Sequence, residues 1–145
     1  MDTVCARVAP LGWHLQLFGA ADLWPQFQHR LRKLPVQLVF DHYGNVPAGA
    51  GVLHPAFATI SSLVSQGRAW VKLSAPMNVS QSGAPDYSDV EALARAYLSV
   101  DASRMVWDSD WPHPAMALAL MTCKPWTTSY AGVIAIQDCW KTSSH

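Results

Sequence analysis

Cysteines are scarce in this sequence and form no recognisable motif. Three occur among 145 residues, at Cys5, Cys123 and Cys139. Their number is odd, they are far apart, and no C-x-x-C pair exists. We therefore expect reduced structural cysteines of a cytoplasmic protein, and neither a disulfide framework nor a zinc knuckle.

Net charge and long apolar runs are also lacking. Ten basic residues balance ten acidic ones, so no net field draws the chain to nucleic acid or to an anionic membrane. No run approaches the ~20 apolar residues of a membrane span, and the first residues lack the charged and apolar regions of a signal peptide. These absences favour a cytoplasmic protein that binds a small-molecule substrate or no ligand, and neither nucleic acid nor membrane.

Four short segments rich in β-branched and aromatic residues are present, and each ends in a polar group. This pattern predicts strands at Trp13–Phe18, Val36–His42, Trp70–Ser74 and Met105–Asp110. Helix signals alternate with them. Parallel strands need a crossover between neighbours, so the alternation predicts an α/β fold with a parallel sheet.

The helix signals differ in kind. Asp22 is a candidate cap for a helix with Leu23, Phe27, Leu31 and Leu34 on one face. A second helix is predicted from His54 and Pro55, with Phe57, Ile60 and Val64 buried, to Gly67. Ser88 and Glu91 form a capping-box pattern for a third. A weaker helix is predicted at Asp2–Ala9, closed by Gly12.

Alternation along the strands predicts which side chains face inward. His14 and Gln16 share the inner face of the first strand, and Leu15 should pack on helices. Lys72 shares its face with Ser74. Charged groups on the inner face of a parallel sheet are costly unless paired, so we expect Asp108 or Asp110 to neutralise Lys72.

The carboxyl ends of the predicted strands supply His42, Ser74 and Asp110. Parallel α/β folds place their chemistry at these ends. An acid, a histidine and a hydroxyl at successive ends predict a site of general acid–base or metal-assisted type. The turn at Ser80–Tyr87 is the best candidate for a mobile loop over this site.

Several of these residues have a structural alternative. His14 fits a hydrogen-bonded core histidine as well as a substrate contact. His113, between two prolines, fits a stiff loop as well as a site residue. Asp110 has the structural alternative of a buried partner of Lys72.

Four segments in this order resemble the amidohydrolase-related family, and most closely its 2-pyrone-4,6-dicarboxylate hydrolases and lactonase-like members. They are Gly12–Leu17, Phe40–Gly44, Trp70–Ser74 and Ser109–Pro114. The resemblance covers residues 1–114. It implies a parallel (β/α) half-barrel, the C-terminal part of a TIM-barrel hydrolase acting on a lactone, amide or similar carbonyl of a small molecule.

The resemblance also implies roles for individual residues. Asp110 matches the general base that activates water, and His42 matches the histidine that polarises the carbonyl or binds metal. The implied substrate contacts are His14, Phe18, Ser74, Asn78 and His113. Two of these depart from the family: Phe18 replaces a tyrosine, and Asn78 lies where an arginine often binds a carboxylate, which puts dicarboxylate substrates in doubt.

The resemblance is compatible with a metal-dependent and with a metal-independent site. Many family members hold a divalent metal such as zinc, for which His42 and Asp110 are the candidate ligands here. The pyrone-dicarboxylate branch works without a metal. The sequence does not choose between these alternatives.

Part of the family pattern is absent. A complete barrel needs ~250 residues, and the family's His-x-His pair of the first strand is not found. Residues 115–145 form an atypical tail, for which back-translation suggests a frameshift. The main expectation is a hydrolase domain that needs its other half, and the alternative is an inactive truncated product that only binds or associates. With four strands, the open sheet edges predict self-association.

Overall fold

The computed structural model describes residues 1–111. Four helices alternate with four strands in the order α1 (Asp2–Val8), β1 (Leu15–Leu17), α2 (Leu23–Leu31), β2 (Leu38–Phe40), α3 (Pro55–Ser65), β3 (Ala69–Leu73), α4 (Ser88–Asp101) and β4 (Met105–Trp107). The predicted element order is confirmed. The strands are shorter than predicted because the polar residues after β2 and β4 leave the sheet.

The strands form one parallel sheet in the order β1-β2-β3-β4. Leu17 pairs with Phe40, Phe40 with Val71, and Leu73 with Trp107. Each strand thus neighbours the next in sequence, as in a (β/α) barrel. Because all four run the same way, their carboxyl ends lie at one edge.

One face of the sheet packs against the helices and forms the core. Leu38, Phe40 and Val71 are fully buried there. Trp70 and Lys72 alternate with them on the other face and are only partly buried. The half-barrel does not expose Val36, Leu38 or Phe40 to solvent, because these side chains face the helices.

Helix α2 begins as predicted, but only Leu31 and Leu34 of the predicted apolar face are buried. The Asp22 side chain forms no capping hydrogen bond and lies near His54, with Oδ1 3.4 Å from Nε2. Trp24 and Leu31 are buried, whereas Leu23 and Phe27 are 38% and 42% exposed. The indole of Trp24 packs edge-on against Phe40 at 5.2 Å, and this large contact sets the rotation of the helix.

Helix α3 follows the predicted pattern closely. The His54 Nδ1 atom accepts a hydrogen bond from the Ala56 amide at 3.2 Å, so the histidine caps the helix. Pro55 occupies the first position, where its missing N–H is not needed. Gly67 follows the helix with a φ of +71°, the conformation expected of a helix-terminating glycine.

The predicted capping box of α4 is wrong. Tyr87 holds the cap position without a side-chain cap, and Glu91 pairs instead with Arg95 at 2.6 Å. Asp89 turns back onto the preceding loop, where its carboxylate accepts hydrogen bonds from Ser80 Oγ at 2.6 Å and from the Gln81 amide at 2.7 Å. The start of the Ser80–Tyr87 loop is therefore tied to the helix.

These contacts change the acidity of Asp89. Partial burial raises its pKa, but the hydrogen bonds from Ser80, Gln81 and Ser82 outweigh that effect and hold the pKa well below its usual range. Among residues 1–111, no helix is both long and apolar enough to cross a membrane.

Candidate active site at the carboxyl edge of the sheet

The turn after β2 has an uncommon left-handed backbone. His42, Tyr43, Gly44 and Asn45 have φ angles of 50°, 58°, 65° and 53°. Residues other than glycine rarely adopt such angles, and each instance costs roughly 1–3 kcal/mol. Such strain persists only where surrounding contacts hold it, and it is concentrated at functional sites.

Hydrogen bonds from side chains of α2 and α4 stabilise this turn. Trp24 Nε1 donates to the Gly44 carbonyl at 2.6 Å, and Tyr97 Oη donates to the Tyr43 carbonyl at 3.1 Å. The Asn45 side chain donates to the Gly19 carbonyl at 2.8 Å. Burial raises the pKa of Tyr97 far above its ordinary value, so its hydroxyl keeps its proton and remains a donor.

The turn directs the His42 ring between two other strand ends. Its Nδ1 atom lies 2.8 Å from Ser74 Oγ, and its Nε2 atom lies 3.6 Å from Asp110 Oδ1. The Phe18 ring meets the imidazole edge-on at 5.6 Å. Ser74 is buried, while the side chains of His42 and Asp110 are 14% and 15% exposed. The imidazole is thus oriented on one side and still accessible on the other.

The other two strand ends also have left-handed residues. Ala75 follows Ser74 with a φ of 47°, and Asp110 itself has a φ of 57°. The Asp110 amide donates to Asp108 Oδ1 at 3.1 Å, which closes a local turn. Three neighbouring strands therefore end in strained residues at one place, as in many active sites.

A second group of polar side chains lies on the face of the sheet opposite the helices. Lys72 Nζ is 3.2 Å from Asp41 Oδ1 and 3.7 Å from Asp108 Oδ2, and Gln16 Nε2 donates to Asp41 Oδ2 at 2.8 Å. Asp108 is confirmed as a partner of Lys72, but Asp110 is wrong in that role because its carboxylate turns toward His42. Asp41 was missed, although strand alternation with Val39 would have placed it on the inner face.

The remaining predicted site residues are more scattered. His14, an implied substrate contact, is exposed and precedes β1 at the amino end of the sheet, so it does not lie with His42 at the carboxyl edge. His14 was already near the start of the predicted strand Trp13–Phe18, so the direction of the strand places it away from the carboxyl edge. Asn78 is exposed in the Pro76–Asn78 turn that follows β3. His113 lies outside the described residues.

The described residues do not complete a metal site. Within residues 1–111 no cluster of three His, Cys, Asp or Glu side chains has a geometry suited to a metal ion. His42 and Asp110 offer one nitrogen and one oxygen donor, whereas catalytic zinc sites take three protein ligands. Residues 1–111 therefore do not by themselves supply the three protein ligands of a catalytic zinc site.

A parallel (β/α) half-barrel with a histidine and an acid at its carboxyl edge has the architecture of part of a TIM barrel, and sequence comparison identifies the family. The amidohydrolase family profile matches residues 2–124, so the chain belongs to the amidohydrolase family. It is 34% identical over 112 residues to the 4-sulfomuconolactone hydrolase of Hydrogenophaga intermedia, covering 77% of this chain and 37% of that protein.

Two further similarities agree with this assignment. The chain is 32% identical over 120 residues to the 2-pyrone-4,6-dicarboxylate hydrolase of Comamonas testosteroni, covering 77% of this chain and 39% of that protein. A crystal structure from Agrobacterium tumefaciens matches with a TM-score of 0.72 at 24% identity, covering 96% of this chain and 47% of that one. The chain therefore spans less than half the length of these relatives, and its fold is the C-terminal half of a TIM barrel.

Proposed function

We propose that this chain carries the acid–base half of a hydrolase that opens lactones or similar carbonyl compounds of small molecules. The observation that supports this most directly is the His42 imidazole, held between Ser74 Oγ at 2.8 Å and Asp110 Oδ1 at 3.6 Å. The family relationship supports the reaction class, because both relatives named above are hydrolases of cyclic esters by name.

In this proposal Asp110 is the general base. Its carboxylate takes a proton from a water molecule while the water oxygen attacks the carbonyl carbon. The ring C–O bond then breaks, and the proton held by Asp110 passes to the departing oxygen. The product is a hydroxy acid, and Asp110 returns to its ionised form.

His42 would stabilise the negative charge that develops on the carbonyl oxygen. A hydroxyl proton donated by Ser74 to Nδ1 leaves the ring proton on Nε2, which lies on the open side beside Asp110. A preorganised N–H donor of this kind contributes about 3–4 kcal/mol to transition-state stabilisation in well-studied cases. Ser74 is in this view a residue that sets the tautomer of His42.

The rest of the site has to come from outside the described residues. The chain spans less than half of its relatives, and part of the carbonyl and carboxylate recognition belongs to the other half of a barrel. On this half, the exposed Asn78 offers a hydrogen bond but no bidentate charged contact. We therefore propose that the substrate group facing Asn78 is uncharged.

The test is complementation with a half-barrel. The chain is combined with the N-terminal half of a close relative, and acid release from a panel of lactones and esters is measured with and without zinc. We expect no turnover by the chain alone, turnover by the mixture, and its loss with Asp110→Asn. The exposed Asp86→Asn is the matched control and should leave turnover unchanged.

Turnover that survives Asp110→Asn would show that the site lies elsewhere. A mixture that associates but never turns over any substrate would favour the second candidate, an inactive product that only binds or associates. That candidate is supported by the sheet, since β1 and β4 each pair with only one strand among the described residues.

A further inference from the structure

Four polar side chains contact one another in series across the sheet, and each comes from one strand or from the residue directly after it. Gln16 is in β1, Asp41 directly follows β2, Lys72 is in β3 and Asp108 directly follows β4. Gln16 hydrogen-bonds Asp41 at 2.8 Å, and Lys72 lies 3.2 Å from Asp41 and 3.7 Å from Asp108. The proposed reaction uses none of these four residues.

Lys72 is the cation on which this series of contacts depends. Asp41 is only 6% exposed, and a buried carboxylate is unfavourable unless it is paired. The approach of Lys72 Nζ to Asp41 Oδ1 has the distance of an ion pair but not the angles of a hydrogen bond. The attraction is therefore electrostatic, and an uncharged side chain of similar length cannot replace it.

The same cation reaches the site through Asp108. One carboxylate oxygen of Asp108 faces Lys72, and the other accepts the Asp110 amide at 3.1 Å. That amide belongs to a residue with a φ of 57°, a conformation that needs support from its surroundings. The orientation of Asp108 thus determines where the Asp110 carboxylate lies relative to His42.

We propose that Lys72 is a positioning residue that orients Asp108, and through its contact with the Asp110 amide holds the Asp110 carboxylate beside His42. The inference rests on the proposed roles of Asp110 and His42. Its test measures geometry rather than turnover, so a failure of the hydrolase proposal and a failure of this one give different results.

The experiment compares Lys72→Met with Lys72→Arg in the complete 145-residue chain. Two NMR quantities are followed: the ring ¹⁵N resonances of His42 and the hydrogen-exchange rate of the Asp110 amide. We expect Lys72→Met to shift the His42 ring resonances and to speed exchange at Asp110 by about tenfold or more, the factor that corresponds to roughly 1.4 kcal/mol. Lys72→Arg should change the His42 resonances and the Asp110 exchange rate much less, because it retains the charge.

Two controls separate positioning from general destabilisation. Lys33→Met removes an exposed cation on the outer surface and should leave both quantities unchanged. Val64→Ala weakens the buried core away from these contacts. At equal loss of global stability it should not reproduce the selective change at Asp110 and His42.

Wild-type His42 resonances and Asp110 exchange in Lys72→Met would overturn the proposal, as would changes equal to those of Val64→Ala. If Lys72→Met does not fold, Asp108→Asn tests the same link. The amide oxygen can still accept from Asp110, but the attraction to Lys72 is gone. We then expect a smaller shift in the same two quantities, and their constancy would overturn the proposal equally.

Discussion

The His42 imidazole nitrogen Nε2 lies 3.6 Å from Asp110 Oδ1, although two strands, two helices and long loops separate the two residues along the chain. Both residues have left-handed backbone conformations. Their proximity depends on two strained turns that must keep their shape together. We expect measurable consequences at four places: Tyr97, Gly44, Asp89 and the edges of the sheet.

The first concerns Tyr97, whose hydroxyl donates to the Tyr43 carbonyl inside the core. Tyr97→Phe removes this donor with little change in volume, so we expect the free energy of unfolding to fall by about 1 kcal/mol. The ring contact with Phe57 at 4.8 Å should persist. Chemical denaturation measures the effect, and the exposed Ser99→Ala is the control. No change in Tyr97→Phe would mean that the hydroxyl contributes nothing to the turn.

The second concerns Gly44, which has a φ of +65° and a Cβ position that runs into Ile60 Cδ1. Gly44→Ala should destabilise the fold by roughly 1–3 kcal/mol, because it adds a steric clash to backbone strain. Gly51→Ala is a matched control, since its φ is +50° and no atom lies within 4 Å of the added Cβ. Thermal unfolding should show a clearly larger loss at Gly44, and equal losses would rule out the clash.

The third concerns the pH dependence of stability through Asp89. Its pKa is lowered in the folded protein, so the ionised carboxylate stabilises the fold above the unfolded pKa of about 3.9. This contribution is lost as pH falls below that value toward the folded pKa. Asp89→Asn should therefore be destabilised at pH 7 and approach the wild type in strong acid.

Denaturant titrations of both proteins at neutral and acidic pH measure this difference. The exposed Asp86→Asn provides the comparison and should track the wild type at both pH values. A stability difference between Asp89→Asn and wild type that does not shrink on acidification would contradict the assignment of the lowered pKa to the loop contacts.

The fourth concerns association. The backbone groups on the outer sides of β1 and β4 pair with no further strand among residues 1–111, and Trp13 and Phe18 flank β1 with 62% and 69% of their surfaces exposed. Unpaired edges next to exposed aromatic rings favour association. We expect light scattering to give a mass above that of one chain at micromolar concentration. A stable monomer there would contradict this prediction.

Much of the fold could be predicted because it follows from local sequence patterns. The alternation of strand and helix signals dictates a parallel sheet, and the polar residues at the ends of hydrophobic strands identified His42, Ser74 and Asp110. Residues at the carboxyl ends of adjacent parallel strands must lie at one edge, so their proximity needs no detailed packing. His14 does not belong to this group, because it lies at the amino end of its strand.

The sequence does not determine which residue each charged side chain contacts. Whether Lys72 pairs with Asp41, Asp108 or Asp110 depends on the φ of +57° at Asp110, which turns that carboxylate toward His42 and away from the lysine. Asp89 binds the loop because groups of three loop residues lie within reach of its carboxylate, and the capping box expected of Ser88 and Glu91 does not form. Hydrophobic periodicity is local and readable from sequence, whereas charge pairing and backbone strain are settled by distances that exist only after the chain has folded.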